Sequence, residues 1–452
     1  MLQRFLSLVS AHPDAVAVIE GDTGLVLSRA ALLARAEEMA ARLAAAGLRA
    51  SDAVAMQLPN SSELIATVIA ALQLKLVIVP IDRDASDTEV ATILGHFSIK
   101  GLAYRDDRGS HAVAISTRAV TSRPNVPAET RLIKLTSGST GRPKGIAVSE
   151  ANLIADALHI CTTMDIHPSD RNLGAIPLSH SYGFSNLVTP LLIQGTPVVV
   201  SNDYLPQSLI ELANRYGCTV VPLIPMVFEH LTAVAHGHFE TVRTFLSAGA
   251  PLPASTSRRF RERFGTDVHS FYGCSECGGI TYDRAGAAVE RGSVGEPMVG
   301  VTLTVDGPRL RVRSEAVALG YLFDAETFEP FEAGAFQTDD LVELRDGEVF
   351  LTGRASDLIN TAGKKVNPRE VEAVLLQIEG VLQVKVYGEQ AGARGEVVAA
   401  AIVATPNVTR EQIREFCRAR LSLHKVPRIL KLIDRIPVDE RGKVKRAALA
   451  ML

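Results

Sequence analysis

A run rich in hydroxyl side chains and glycine, residues 135–145, is the part of the sequence best suited to holding an anion. Glycines let the backbone turn tightly and present N–H groups to an anion, hydroxyls add further donors, and Lys144 adds a full positive charge. In the Walker phosphate loop the lysine lies between a glycine and Ser or Thr, whereas Lys144 lies between Pro143 and Gly145. We therefore predict a different polyphosphate-binding loop, formed by Thr136, Ser137, Gly138, Ser139, Thr140, Gly141 and Lys144.

The same run resembles the signature loop of the adenylate-forming superfamily, which includes acyl-CoA synthetases, the adenylation domains of peptide synthetases and beetle luciferases. Other motifs of the superfamily follow in order and at suitable spacing, so the resemblance covers nearly the whole chain. It implies an AMP-dependent ligase of the acyl-CoA synthetase type, which joins a carboxylic acid to AMP, releases pyrophosphate and then transfers the acyl group to a thiol. The implied cofactors are ATP, Mg²⁺ and CoA, or the phosphopantetheine of a carrier protein in place of CoA.

Residues 271–278 resemble the superfamily's Tyr-Gly-x-Thr-Glu motif. The resemblance implies that Tyr272 stacks on adenine and that Ser275, in place of the usual Thr, donates to the α-phosphate. It also implies that Glu276 binds Mg²⁺, a hard cation that takes carboxylate oxygens and keeps several waters. The segment does not match the nucleophile elbow of hydrolases, G-x-S-x-G, because Cys277 takes the place of the second glycine.

Two segments are expected beside the adenine ring and the acid. Residues 247–252 follow a predicted strand and resemble the superfamily's binding floor, where a flat ring lies against the backbone. The residues of that floor are Gly249, Ala250 and Pro251. Residues 177–184 resemble the segment next to the reacting carboxylate, which implies that His180 lines the acyl entrance.

The ribose is expected to meet a later motif. Residues 337–341 resemble Thr-Gly-Asp-Leu, which implies that Asp340 accepts hydrogen bonds from the ribose hydroxyls, and Asp339 takes the place of the motif's glycine. Further on, Arg354 is implied to reach the ribose or a phosphate. Ser356 takes the place of the Asp or Lys at which the two domains of the superfamily pivot.

The C-terminal part carries one implied residue for each half-reaction. Residues 437–446 resemble the superfamily's lysine motif, in which Lys443 matches the catalytic lysine. Residues 361–365 resemble the loop that meets the pantetheine tunnel, with Gly363 at the tight point. The resemblance further implies that the small domain rotates about its hinge between adenylation and thiol transfer.

The sequence leaves the acid and the acceptor open. Superfamily members that select amino acids carry an Asp where this chain has Ser181, and burying an α-ammonium without a partner costs free energy. Aryl and fatty acids both remain candidates. Three classes of protein remain: an acyl-CoA ligase, a ligase that loads an external carrier protein, and a nucleotide-binding relative without catalysis. The presence of Lys443, Glu276 and the full phosphate loop disfavours the third.

Alternating helices and short apolar strands must position these motifs. Apolar spacing predicts helices over residues 28–47 and 64–74 and buried strands over 77–79, 219–223, 244–247 and 268–272. Ser28 can cap the first helix and Gly47 can end it. This alternation predicts an α/β fold with stacked, mostly parallel sheets. Residues 294–350 show short alternating strands with glycine turns, which predicts a β subdomain.

A small α+β domain is predicted at the C-terminus. Asn367 and Pro368 are suited to begin a helix, since Asn caps a helix and Pro fits its first turn. The remaining elements expected here are strands over 381–387, 397–403 and 429–433 and a helix over 409–421. We place an N-terminal domain that binds AMP and the acid at residues 1–355. We place a mobile domain with the catalytic lysine at residues 356–452.

Composition limits the partners and the compartment. The chain is 47% hydrophobic and 21% charged with a net charge of −3, so no basic field favours nucleic acid. Five cysteines without a paired framework fit a reducing compartment. The N-terminus lacks the pattern of a signal peptide, and no apolar stretch is long enough for a membrane span. We expect a cytoplasmic protein whose partners are a small carboxylic acid and CoA or an external carrier protein.

Overall fold

A computed structural model of the chain describes residues 1–105, 113–137, 143–361, 364–390 and 396–437, without the side chains of Ser137 and Gln390. Contacts divide the chain into two units. The first comprises Met1–Leu303 and Val312–Phe336, and the second comprises Thr304–Arg311 and Gln337–Leu452. The functional boundary after residue 355 stays a prediction.

The first unit contains two large sheets. Within the described residues, one sheet has nine strands in the order Glu296–Pro297, Gly278–Tyr282, Val268–Cys274, Thr244–Ser247, Val220–Leu223, Asn172–Gly174, Val198–Val200, Val16–Glu20 and Val26–Ser28. The six strands from Val268–Cys274 to Val16–Glu20 run parallel to their neighbours. Antiparallel strands flank them on both sides. The predicted α/β fold is confirmed, and most strand pairings of this sheet are parallel, as predicted.

The second large sheet carries the ends of the phosphate loop. In the described part of the chain its eight strands follow the order Phe328–Pro330, Gly320–Leu322, Pro143–Ser149, Thr130–Ser137, Val77–Pro80, Ala53–Gln57, Gly101–Arg105 and Val113–Thr117. The strands before and after the phosphate loop pair antiparallel, with Thr136 opposite Lys144. Strand Gly320–Leu322 then pairs with Pro143–Ser149, which places Tyr321 opposite Ile146.

Helices of the first unit lie between and around these strands in sequence: Leu2–Ala11, Arg29–Ala45, Ser62–Gln73, Asp87–His96, Glu150–Thr163, Ser181–Gly183, the π-helical turn Phe184–Val188, Thr189–Gln194, Pro206–Tyr216, Pro225–Thr232, Ala254–Phe264 and Ala288–Arg291. Ser28 accepts the N–H of Ala31 at 3.1 Å and Gly47 has a φ of +86°, so the predicted start and end of this helix are confirmed. A single core combines Ile65 with strand residues of both large sheets. None of the helices in the described ranges has the length and apolarity that crossing a membrane requires.

Within its described residues, the second unit combines small sheets with two α-helices and the short 3-10 turn Ala355–Asp357. Most residues of a four-stranded sheet belong to this unit. Its strands follow the order Thr302–Asp306, Arg309–Arg313, Ala335–Arg345 and Glu348–Arg354. It is followed by the strand pair Ile359–Thr361 and Lys364–Val366 and by the strands Val381–Gln390, Glu396–Ala404 and Ile429–Leu432. The helices are Pro368–Leu375 and Arg410–Arg420. Asn367 caps the first through the N–H of Arg369 at 3.1 Å, as predicted.

Candidate active site

Three parallel strands of the nine-stranded sheet lead into predicted site segments. Asn172–Gly174 precedes the His180 segment, Thr244–Ser247 precedes the binding floor, and Val268–Cys274 carries Tyr272. The carboxyl ends of parallel strands share one edge of a sheet, which is where open α/β sheets bind their ligands. The topology therefore gathers segments that lie far apart in the sequence.

Glu276 lies in the turn after strand Val268–Cys274. Its Oε1 accepts a hydrogen bond of 2.8 Å from the hydroxyl of Tyr321, and its carbonyl oxygen accepts the N–H of Ala318 at 2.8 Å. The ring of Tyr321 also contacts Lys144, whose Nζ lies 3.3 Å from the ring centroid. The lysine of the phosphate loop and the expected Mg²⁺ ligand thus meet at one side chain.

Electrostatics at this cluster follow from burial. Burial lowers the pKa of Lys144, while the negative charges of Glu276 and Glu329 act in the opposite direction. Burial also raises the pKa of Tyr321, and the neighbouring carboxylate of Glu276 raises it further. The phenol therefore stays protonated at neutral pH and keeps its role as a hydrogen-bond donor to Glu276.

Ser275 is held by two contacts from outside its own turn. Its Oγ lies 2.9 Å from the Oγ of Ser181, the residue after His180. Its carbonyl oxygen accepts a hydrogen bond of 3.3 Å from Nζ of Lys134, a lysine on the strand before the phosphate loop that is only 6% exposed. These contacts connect the Ser275 turn to the acid segment and to the phosphate loop.

A buried carboxylate supports the same region from behind. Asp156, on helix Glu150–Thr163, accepts the N–H of Gly279 at 2.9 Å and the hydroxyl of Ser185 at 2.6 Å. A Cβ at Gly278, whose φ is +73°, would lie 2.3 Å from Oδ1 of Asp156, so the carboxylate packs directly against this backbone. Asp156 therefore ties the end of the Glu276 turn to the π-helical turn that follows the His180 segment.

His180 pairs with a carboxylate that the sequence motifs do not indicate. Its Nε2 lies 3.3 Å from Oδ2 of Asp82, just after strand Val77–Pro80. Both side chains are about a quarter exposed, 27% and 28%, so the pair faces an accessible space. A histidine held by a carboxylate at one nitrogen has a defined orientation toward whatever meets its other edge.

Magnesium binding can be tested against the donors present. Across the described residues, no three His, Cys, Asp or Glu side chains are grouped as ligands for one metal. Mg²⁺ is ordinarily held by one or two carboxylates together with substrate phosphates and water, so a full protein cage is not required. Glu276, oriented by Tyr321 and close to Lys144, fits this use.

The remaining predicted residues either have a described position or lie outside the described ranges. Thr136 lies at the end of its strand, where its Oγ1 approaches the carbonyl oxygen of Lys144 at 3.4 Å. Gly249, Ala250 and Pro251 form the loop after Thr244–Ser247, and Gly249 requires glycine because its φ is +89°. For Ser137 only the backbone is described. The predicted residues outside the described ranges are Gly138, Ser139, Thr140, Gly141, Gly363 and Lys443.

In the second unit, the two residues that are predicted to bind the nucleotide, Asp340 and Arg354, contact each other. Nε of Arg354 donates to Oδ1 of Asp340 at 2.8 Å across neighbouring strands. Asp339 accepts the backbone N–H of Ser356 at 3.1 Å and lies 3.6 Å from Nη2 of Arg309. The carboxylate that replaces the motif's glycine thus holds the short turn at the predicted hinge.

Four supporting residues of the first unit carry no motif in the sequence: Tyr321, Lys134, Asp156 and Asp82. Each acts through a contact with a residue that is distant along the chain, and such contacts leave no local pattern. Only Lys134 offers a hint, because it is a charged residue within an otherwise apolar strand segment.

Comparison with known proteins identifies the family of this chain. Residues 7–322 match the family model for AMP-binding enzymes, and residues 370–443 match the model for the C-terminal domain of AMP-binding enzymes. The 2-succinylbenzoate–CoA ligase of Bacillus licheniformis is 28% identical over 97% of this chain and 97% of its own length. A feruloyl-CoA synthase of Amycolatopsis is 28% identical over 96% of this chain and 94% of its own length.

A solved structure extends the similarity to the fold. The o-succinylbenzoate CoA synthetase from Bacillus subtilis, in complex with its acyl-adenylate intermediate, matches with a TM-score of 0.83 and 25% sequence identity. The match covers 99% of this chain and 97% of that chain. Because the first family model spans well over half of the chain and coincides with the site assembled above, this protein belongs to the family of AMP-binding enzymes.

Proposed function

We propose that the protein activates a carboxylic acid with ATP, forming an acyl-adenylate and pyrophosphate, and then transfers the acyl group to CoA as a thioester. The observation that carries the proposal is the meeting of Lys144 and Glu276 at Tyr321. This contact joins a phosphate-loop cation to a carboxylate suited to Mg²⁺. The relatives named above are CoA ligases, which supports the same reaction.

The chemical difficulty of the first step is charge. A carboxylic acid is ionised at neutral pH, since its pKa lies near 4, and it must approach a phosphate that is also anionic. Lys144 supplies a positive charge, and the hydrogen-bonded hydroxyls of Ser275 and Ser181 leave one donor for a substrate oxygen. Mg²⁺, when bound at Glu276, would draw negative charge from the phosphate oxygens. We assign the remaining cation to Lys443 of the C-terminal domain.

The acid is proposed to enter beside the His180–Asp82 pair. Ser181 offers no negative charge to an α-ammonium, and its hydroxyl is already engaged with Ser275. We therefore propose an acid without an α-amino group, of the aryl or fatty class.

The second unit offers a place for an anionic acceptor. Its cavity of about 510 Å³ is lined by Thr361, Lys364, Ser422, Leu423, His424 and Arg428. Lys364 and Arg428 are cations, the described lining includes no carboxylate, and the buried hydroxyl of Thr361 has no hydrogen-bond partner among the described residues. Lysine and arginine are the usual partners of phosphate groups. CoA carries several phosphates at its nucleotide end, away from the thiol, whereas the phosphopantetheine of a carrier protein carries one, so we propose free CoA as the acceptor.

Pyrophosphate release tests the proposal. Purified protein would be assayed with ATP, Mg²⁺ and a panel of aryl and fatty acids, each with and without CoA, with Glu276→Gln as the inactive control. We expect release that depends on one acid class and turns over faster with CoA. Release that stalls near one turnover despite CoA would point to a carrier protein instead. Absence of release across the panel would contradict acid activation.

A further inference from the structure

We propose that Tyr321 is a positioning residue. It orients Glu276 to bind the metal and Lys144 to bind the polyphosphate of ATP. The proposal deepens the proposed function and depends on it, because it assigns Glu276 to the metal and Lys144 to the phosphates. The juxtaposition is specific: one phenol donates to the carboxylate through its hydroxyl and supports the ammonium with its ring face.

The ring of Tyr321 is itself fixed by its surroundings. It packs edge-to-face against Phe331, with ring centroids 4.7 Å apart, and against Phe336 at 6.1 Å. The backbone on either side is part of strand Gly320–Leu322, which pairs with the strand that carries Lys144. A side chain anchored both by a sheet and by aromatic packing can impose its geometry on flexible neighbours.

The hydroxyl of Tyr321 restricts the carboxylate of Glu276. Oε1 accepts the phenol proton at 2.8 Å, and the N–H of Ala318 holds the backbone of the same glutamate. The carboxylate therefore has one occupied oxygen and a preferred rotation before any metal arrives. Partners of this kind orient metal-binding carboxylates, and their loss weakens metal affinity.

The ring face of Tyr321 restricts Lys144. A lysine at the end of a phosphate loop has a long, flexible side chain, yet its Nζ lies 3.3 Å from the ring centroid. Cation–π attraction at this distance compensates partly for the burial of the ammonium. The lysine is thus held beside Glu276 and is ready for a polyanion, without a direct salt bridge that ATP would first have to break.

Two substitutions separate the two contacts. Tyr321→Phe removes the hydrogen bond to Glu276 but keeps the ring under Lys144, whereas Tyr321→Leu removes both. A matched control exists in the second unit, where Tyr387 donates to Glu389 at 3.1 Å and Nζ of Lys431 lies 5.7 Å from its ring. Tyr387→Phe removes the same kind of hydrogen bond outside the predicted site.

Binding is measured on the full-length chain without any acid, so no turnover is needed. Mn²⁺ is titrated in the presence of ATP by electron paramagnetic resonance, and ATP without metal is titrated by calorimetry. We expect Tyr321→Phe to weaken Mn²⁺ about tenfold and to leave metal-free ATP unchanged. We expect Tyr321→Leu to weaken metal-free ATP about threefold as well, and Tyr387→Phe to match the wild type.

Each outcome distinguishes the possibilities. Wild-type affinity for Mn²⁺ in Tyr321→Phe would overturn the proposal, and so would an equal loss in Tyr387→Phe. Metal-free ATP affinity that is the same in Tyr321→Leu and Tyr321→Phe would overturn the part that concerns Lys144. If the wild type binds neither ATP nor Mn²⁺, the proposed function fails first. If the wild type binds both and the variants do not differ from it, only the positioning role fails.

Discussion

The side-chain oxygens of Ser181 and Ser275 lie 2.9 Å apart, and through them the acid segment touches the turn that carries Glu276. Two hydroxyls in contact share one hydrogen bond, so the proton of the other hydroxyl is free to point at a substrate oxygen. The contact therefore acts as a unit, and its members are expected to depend on each other.

We expect Ser275→Ala to lower kcat/KM for pyrophosphate release about 30-fold, since a donor to the developing charge is lost. Ser181→Ala should lower it about threefold, because Ser275 loses its orientation. The double variant should resemble Ser275→Ala alone, as expected for coupled residues. Ser275→Thr, which restores the residue usual in the superfamily, serves as the control and should stay near wild type. If the effects of the two alanine substitutions were strictly additive, the coupling between Ser181 and Ser275 would be contradicted.

Lys443→Ala tests whether this lysine acts in adenylation but not in thioester formation. We expect adenylation to fall about 100-fold, since a cation aimed at the reacting phosphate is removed. Thioester formation from supplied acyl-adenylate should stay near the wild-type rate. Lys445→Ala is the matched control two residues away and should leave both half-reactions intact. An equal loss in both half-reactions of Lys443→Ala would refute the assignment.

Gly363→Leu should give the opposite result. A bulky side chain at the tight point of the expected thiol path blocks approach of the pantetheine, so thioester formation should fall about 100-fold. Pyrophosphate release in the first turnover should remain near wild type. Single-turnover measurements of both products separate these steps. Normal thioester output from this variant would place the thiol path elsewhere.

Asp156→Ala tests the support behind the Glu276 turn. The change leaves the N–H of Gly279 and the hydroxyl of Ser185 buried without their acceptor, so we expect a loss of about 3 kcal/mol in the free energy of unfolding. Asp156→Asn keeps an acceptor of the same shape and should lose about 1 kcal/mol. Urea denaturation provides the measurement. Unchanged stability of Asp156→Ala would show that the carboxylate is dispensable.

Helix starts were predictable because their determinants are local. Ser28 and Asn367 cap their own helices through N–H groups two or three residues away, and Thr409 does the same within a full capping box. The parallel strands were predictable for a similar reason, since short apolar runs between helices have few other arrangements. The fold class therefore followed from residues that lie close to each other in the chain.

The support of the site was not predictable in this way. Tyr321 reaches Glu276 only because its strand pairs with the one after the phosphate loop, and nothing near Tyr321 in the sequence indicates that pairing. In the sequence, Asp156 resembles any polar residue on a helix, and its role appears only when the backbone at Gly278 packs against it in the fold. Asp340 and Arg354 were each predicted to meet the nucleotide, but their mutual hydrogen bond could not be predicted because it depends on strand register.

The hydrogen bond between Asp339 and the N–H of Ser356 limits which substitutions these two positions can accept. A glycine at 339 would leave that amide without its acceptor, and an aspartate at 356 would bring a second carboxylate next to Asp339, which like charges disfavour. The hydrogen bond is therefore kept only while a carboxylate is present at 339 and residue 356 carries no negative charge. A chimera that borrows the hinge of this chain must therefore take Asp339 together with Ser356 to keep this hydrogen bond.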